Sequence, residues 1–167
     1  MLSANQIISN FNLLPHPEGG FYSENYRSTG IIPKEALPPT FKGARNYCTA
    51  IYFLLEANHF SAFHRIKSDE CWHFYAGSTL LIYVLTEEGG LTNIKLGSDI
   101  EKGEVFQAVV PANCWFASEP APDTVFSFVG CTVSPGFDFA DFEMAAAKDL
   151  LSQWPDHNAM IERLCRL

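Results

Sequence analysis

Cationic side chains are scarce in this chain of 167 residues: 11 Lys and Arg stand against 19 Asp and Glu, a formal net charge of −8. That balance argues against non-specific affinity for nucleic acid or an anionic membrane, both of which need a basic face. It leaves room for a local basic patch that holds one phosphate. No stretch approaches the roughly 20 apolar residues needed to span a bilayer. The opening "MLSANQIISNF" has neither the basic flank nor the apolar centre of a signal peptide. The five cysteines (Cys48, Cys71, Cys114, Cys131, Cys165) are scattered and form no C-x-x-C pair. That suits free thiols in a reducing compartment better than a disulfide framework or a zinc knuckle. Internal repeats, low-complexity tracts and linkers are also missing. The expectation is a single soluble, cytoplasmic domain over residues 1–167.

The chain is 47% hydrophobic, enough for one sizeable core. At the start, Ser3 with Gln6 three residues later has the pattern of a capping box. Ile7, Ile8, Phe11 and Leu14 follow at helical spacing, and "PHPEGG" ends the helix. From about residue 20 to 135 the pattern is of strands: "GFYSENYR", "YCTAIYFLLE", "FSAFHRI", "ECWHFYA", "STLLIYVLT", "LTNIKLG", "EVFQAVV" and "TVFSFVGCTVS". "EEGG" between two of them reads as a hairpin loop. Eight or nine short strands with frequent turns predict a mainly β sandwich or barrel. Helix returns over about 138–167. "DFADFEMAAAKDLLSQW" offers Phe142, Leu150, Leu151 and Trp154 for an apolar face before Pro155, and "NAMIERLCRL" offers Met160, Ile161, Leu164 and Leu167. Both are expected to brace the β-core.

The densest chemistry lies in "FHRIKSDECWHFYAG", residues 63–77. It reads as two paired strands joined by the turn "SD". Alternation places His64 and Ile66 on one face and Arg65 and Lys67 on the other. Glu70, Trp72 and Phe74 share a face, with Cys71, His73 and Tyr75 opposite. Metal site, proton-transfer site, ligand pocket and ordinary half-wet strands all remain open at this point. His64 has the residue type of a base near neutrality. Arg45, Arg65 and Lys67 are the cations available to a developing enolate, and Arg27 and Arg45 have the planar fork that suits phosphate or carboxylate. Trp72 and Phe74 could stack on a base or sugar or simply fill the barrel. His73, between them, reads as structural or as a ligand contact. "PHPEGG" reads first as a tight glycine turn.

His64, Glu70 and Gly77 match the first cupin motif, H-x-H-x(3,4)-E-x(6)-G, with Ile66 where the second histidine belongs. In the second motif Asn113 replaces a glycine and Phe116 stands at the histidine. "LLPHPEGGFYSENYRS", "FHRIKSDECWHFYAG", "VVPANCWFAS" and "VGCTVSPGFDFADFE" together resemble a cupin family known only as a domain of unknown function (DUF985, cupin-5 type). The resemblance implies a double-stranded β-helix, a jelly-roll barrel with an internal ligand cavity, usually dimeric. Two matching ligands, His64 and Glu70, would hold a divalent metal only weakly, so no tightly bound cofactor is expected.

The order "EGGFYSENYR" then "FHR" is also similar to that of the metal-free sugar-nucleotide 3,5-epimerases of the dTDP-rhamnose route. It implies His64 as base beside Glu70. Tyr22, Glu24 and Arg27 would lie at the rim with Glu18, and a nucleotide or nucleotide-sugar would be the anionic ligand. A metal-dependent cupin enzyme and a non-catalytic dimeric interaction protein are the alternatives.

Overall fold

The computed structural model describes residues 2–87 and 89–166. Ser3 caps helix α1 (Ala4–Asn10) through the expected reciprocal box with Gln6. The helix ends one turn earlier than its apolar spacing predicts. Asn12 takes a left-handed conformation, and Leu14 leaves the helix for a short strand, β1 (Leu14–Pro15). The strands that follow are β2 (Phe21–Arg27), β3 (Ile31–Ile32), β4 (Arg45–Asn46), β5 (Thr49–Glu56), β6 (Ser61–Arg65) and β7 (Asp69–Gly77). After these come β8 (Leu80–Leu85), β9 (Leu91–Leu96), β10 (Gln107–Val110), β11 (Trp115–Pro120), β12 (Phe126–Ser134) and β13 (Glu143–Met144). Two helices close the described chain, α2 (Ala147–Gln153) and α3 (Asn158–Leu164).

Two antiparallel sheets face each other. One has the order β1-β2-β5-β12-β7-β10 and the other β13-β6-β11-β8-β9. Their inner faces meet in a core of Phe53, Leu55, Trp72, Val129 and Cys131 from the first sheet and Leu80, Ile82, Val84 and Phe116 from the second. This is the jelly roll that the strand pattern and the resemblance imply. β8 and β9 form the expected hairpin, in register from Leu80↔Leu96 to Leu85↔Leu91.

One expected pairing is corrected. β6 and β7 do not pair: β6 lies between β11 and β13, and β7 between β12 and β10. Alternation tells which side chains share a face, not which sheet a strand joins. Here the short link between them crosses from one sheet to the other. His64 and Glu70 therefore face the same cavity from opposite walls.

The helices cover outer faces. Leu54, flanked in β5 by the inward Phe53 and Leu55, turns outward against Ala4, Ile7, Leu13 and Phe128. Both faces of β5 are thus buried, which explains its unbroken apolar run. On the second sheet, Phe63, Leu85 and Ala117 pack under Leu150, Trp154, Ile161 and Leu164. Leu167 lies outside the described residues. The long helix expected from residue 138 begins only at Ala147. Before it, Asp138 caps a single 3-10 turn at Phe139–Asp141, and β13 pairs with β6 at Glu143↔Arg65 and Met144↔His64. Tertiary partners draw this segment out of helix: Asp141 is held by Arg45 and Lys67, and Phe142 turns into the cavity.

Candidate functional site

A cavity of about 510 Å³ opens between the sheets, within the ~300–1,000 Å³ usual for small-molecule sites. β2 supplies Tyr22, Glu24 and Arg27 to its wall; β6 supplies His64, β7 Glu70 and β12 Cys131. The loop before β2 adds His16 and Glu18, and the segment after β12 adds Phe137, Asp138, Phe139 and Phe142.

The glycines of "PHPEGG" bring that loop in. Gly19 and Gly20 both have positive φ, and a Cβ on either would strike the backbone carbonyl of Phe60 or Leu54. The chain presses against β5 and aims Glu18 inward, buried rather than at the rim. Glu18 Oε2 lies 3.0 Å from His64 Nε2 and 3.5 Å from His16 Nδ1. His64 Nδ1 is 2.7 Å from the carbonyl of Ala62 and donates to it. His16 Nδ1 accepts from the Glu18 N–H at 3.3 Å. The lone pair of His64 Nε2 thus faces the carboxyl oxygen, the arrangement of a carboxylic acid that donates its proton to one imidazole. Burial acts in the same sense, lifting Glu18 and lowering His64 and His16.

Both ring nitrogens of His64 are therefore engaged. His64 and Glu18 are thereby coupled through Nε2 and Oε2.

Glu70 stands on the opposite wall, and burial pushes its carboxyl up to about 7. The Cys131 thiol and the Trp72 indole act against that rise. Burial and the neighbouring Glu70 in turn keep the thiol protonated. Trp72 Nε1 is a buried donor without an ordinary hydrogen-bond partner, as is Ser61 Oγ beside Glu18. A carboxyl that titrates near neutrality in a concave, partly apolar site is the usual condition for acid–base work.

The other expected contacts divide. Tyr22, Glu24 and Arg27 line the cavity. Trp72 is 1% exposed and belongs to the core behind Glu70, with Phe74 packed against the same cluster. His73 is on the outer face, 3.0 Å from Thr132 Oγ1. Arg45 is buried with both fork nitrogens on Asp141 at 2.6 Å. Lys67 is 3.3 Å from the same carboxylate. Arg65 pairs with Glu143 at 2.8 Å and lies over Trp115. Neither Arg45, Arg65 nor Lys67 reaches the cavity, because β6 alternation and the Asp141 pair direct all three away from it. His16 and the Phe137–Phe142 segment were not foreseen. The one available signal was the i, i+2 spacing of His16 and Glu18, which puts both on one side of an extended chain.

The family's metal chemistry does not fit this donor set. Ile66 fills the second histidine position. Phe116 is in register with His64, its ring centroid 4.1 Å from the imidazole. Among the described residues no three His, Cys, Asp or Glu side chains form a group that could hold a metal ion. No helix there is long and apolar enough to cross a membrane.

Comparison with known proteins agrees with the architecture. Protein SO0799 from Shewanella oneidensis is similar over 99% of both chains, with 43% identity and a TM-score of 0.87. A hypothetical protein from Leishmania major is similar over 99% of this chain and 100% of that one, with 33% identity and a TM-score of 0.90. The uncharacterized yeast protein YML079W (Saccharomyces cerevisiae) is 31% identical over 163 residues, covering 89% of this chain and 78% of its own length. Oxalate decarboxylase from Bacillus subtilis shares the fold at 11% identity and a TM-score of 0.53, over 36% of its chain. The model of the cupin superfamily family DUF985 (Cupin_5) matches residues 5–145. With that match, the jelly-roll cavity and the half-kept histidine motif, the chain belongs to the DUF985 family of the cupin superfamily.

Proposed function

We propose that the cavity is a proton-transfer site for a small polar carbonyl compound, of the isomerase or epimerase type. The observation that carries this reading is the pair of buried acid–base groups on facing walls: Glu18, joined to His64 at 3.0 Å, and Glu70, poised at about 7. In the productive form the Glu18–His64 unit has released its proton and Glu70 keeps its own. A proton leaves the carbon beside the carbonyl for the Glu18–His64 unit, and the C–H electron pair becomes the enolate double bond. The neutral Glu70 donates a hydrogen bond to the enolate oxygen, as a buried protonated carboxyl can. Return of a proton to carbon completes the exchange without net oxidation.

A nucleotide-linked sugar would place only its sugar in the cavity, because Arg27, the one cation of the described lining, is spent on Glu24, Asn46 and Phe137. A homodimer is part of the same proposal. Tyr26, Tyr75 and Val109 are exposed on the outer face of the larger sheet, and sedimentation would test their burial between copies.

The chemical test is proton NMR in D₂O with free ketoses and nucleoside-diphosphate keto-sugars. Loss of the signal beside the carbonyl is expected with one class of compound. Glu18→Gln and Glu70→Gln should each slow that loss at least about 100-fold. Exchange with no compound, or exchange unaffected by both substitutions, would refute the reading. A divalent metal that alone restores activity would instead favour a metal-dependent enzyme.

A further inference from the structure

We propose that the ligand of this cavity carries an ammonium group, held at the mouth by an aromatic corner and the Asp138 carboxylate. The proposal deepens the reading of the cavity as the ligand site and names the ligand class; it does not depend on the reaction.

The first observation concerns Arg27, the one Lys or Arg side chain among the described residues that line the cavity. A guanidinium has five N–H donors, and all of them are engaged here. Nε donates to Glu24 Oε1 at 2.8 Å and Nη2 to Glu24 Oε2 at 2.6 Å. Nη1 donates to Asn46 Oδ1 at 2.8 Å, and the carbonyl of Phe137 accepts from Nη1 at 3.2 Å and Nη2 at 3.3 Å. Arg27 is therefore a clamp that ties β2 and β4 to the segment after β12. It has neither a free donor nor a net charge, beyond that of Glu24, to offer a phosphate.

The second observation is the lining that the clamp positions. Phe137, Phe139 and Phe142 stand nearly perpendicular to one another, at 79°, 71° and 75°, with centroids 5.0 to 6.3 Å apart. The three rings form an angular aromatic corner of the cavity wall, with His16 stacked toward Phe139 and His64 tilted toward Phe142. Ring faces attract a cation, most strongly when it is desolvated, and such corners suit ammonium groups. Asp138 lies within the same segment and on the same cavity. Its Oδ1 accepts from Ala140 N at 2.8 Å, and its charge makes no ion pair among the described residues, although it acts at longer range on Arg27 and Arg45. Deeper in, burial lifts the carboxyls of Glu18 and Glu70 and lowers both imidazoles, so none of the four adds a fixed charge. The lining therefore offers π-faces, the Asp138 carboxylate and no cation with a free donor.

The test is calorimetric titration of the wild-type protein with size-matched sugars, glucosamine, glucose and glucuronate, and with tetramethylammonium and pyrophosphate. The proposal expects glucosamine to bind at least about ten-fold tighter than glucose, with tetramethylammonium competing for the same site and the two anions weakest. Phe139→Leu and Asp138→Asn are chosen because both positions are exposed, so the fold should survive. Each should weaken glucosamine by about three- to ten-fold and glucose by a smaller factor, narrowing the gap between the two sugars. Binding of pyrophosphate or glucuronate tighter than glucosamine would overturn the proposal, as would no binding of either cation. Deuterium exchange into an anionic carbonyl compound, with those anions preferred, would sink the ammonium assignment and leave the proton-transfer reading standing. Cation binding without exchange into any carbonyl compound would do the reverse.

Discussion

Replacing Glu70 by Gln should make the protein more stable at neutral and alkaline pH. The carboxyl is buried and its titration is moved from an ordinary 4.5 to about 7. Between those values the unfolded chain has released a proton that the folded protein still holds, so stability falls as pH rises through that window. Above pH 7 the buried charge costs about 3 kcal/mol relative to acid pH. Gln is close in shape and does not titrate there, so it removes this loss. The stability of the variant relative to the wild type should therefore grow by about 3 kcal/mol between pH 4.5 and 8, most of it above pH 5. For a chain of this size that is roughly 6–12 °C in Tm.

Thermal unfolding of both proteins, followed by near-UV circular dichroism at intervals of half a pH unit, measures the difference directly. Carboxyls remote from Glu70 cancel in the comparison, whereas Glu18, whose charge helps to raise Glu70, is relieved along with it. A gap between the two Tm profiles that stays constant with pH would refute the argument. It would mean that water or local opening keeps Glu70 near its ordinary value. Stabilisation by loss of a charged group is also the signature of a site that trades stability for chemistry.

Two further outcomes follow from the same geometry. Arg45→Ala strips Asp141 of its bidentate partner and leaves Lys67 at 3.3 Å. The expected loss is about 3–5 kcal/mol in urea unfolding, and a loss below about 1 kcal/mol would show that the pair is not buried in solution. Restoring the motif with Ile66→His and Phe116→His together should create a divalent-metal site with His64 and Glu70, the metal displacing the Glu18 proton from His64 Nε2. Metal at 100 times its Kd would then stabilise the double variant by about 2.7 kcal/mol, while a metal-independent Tm would refute the register that sets Phe116 beside His64.

Much of this molecule follows from local pattern. Period-two alternation is a property of the chain itself, so it could put His64 with Ile66, Glu70 with Trp72, and Arg65 with Lys67 on the far side. The Ser3–Gln6 box is equally local. The glycine at position 77 is legible for a similar reason: it has positive φ, and a Cβ would meet the carbonyl of Phe126. The motif positions filled by Ile66 and Phe116 could be read directly.

What tertiary structure decided is the site's membership. The sheet a strand joins depends on partners far along the chain, so β6 and β7 looked like a hairpin and proved to be opposite walls. Glu18 becomes half of an acid–base unit only because two glycines let its loop press against β5. Residues 138–146 have the composition of a helix start. They follow the cavity mouth instead because Asp141 meets an arginine 96 positions away. Charge followed the same rule: the sequence supplied arginines suited to an anion, and long-range hydrogen bonds had already spent them.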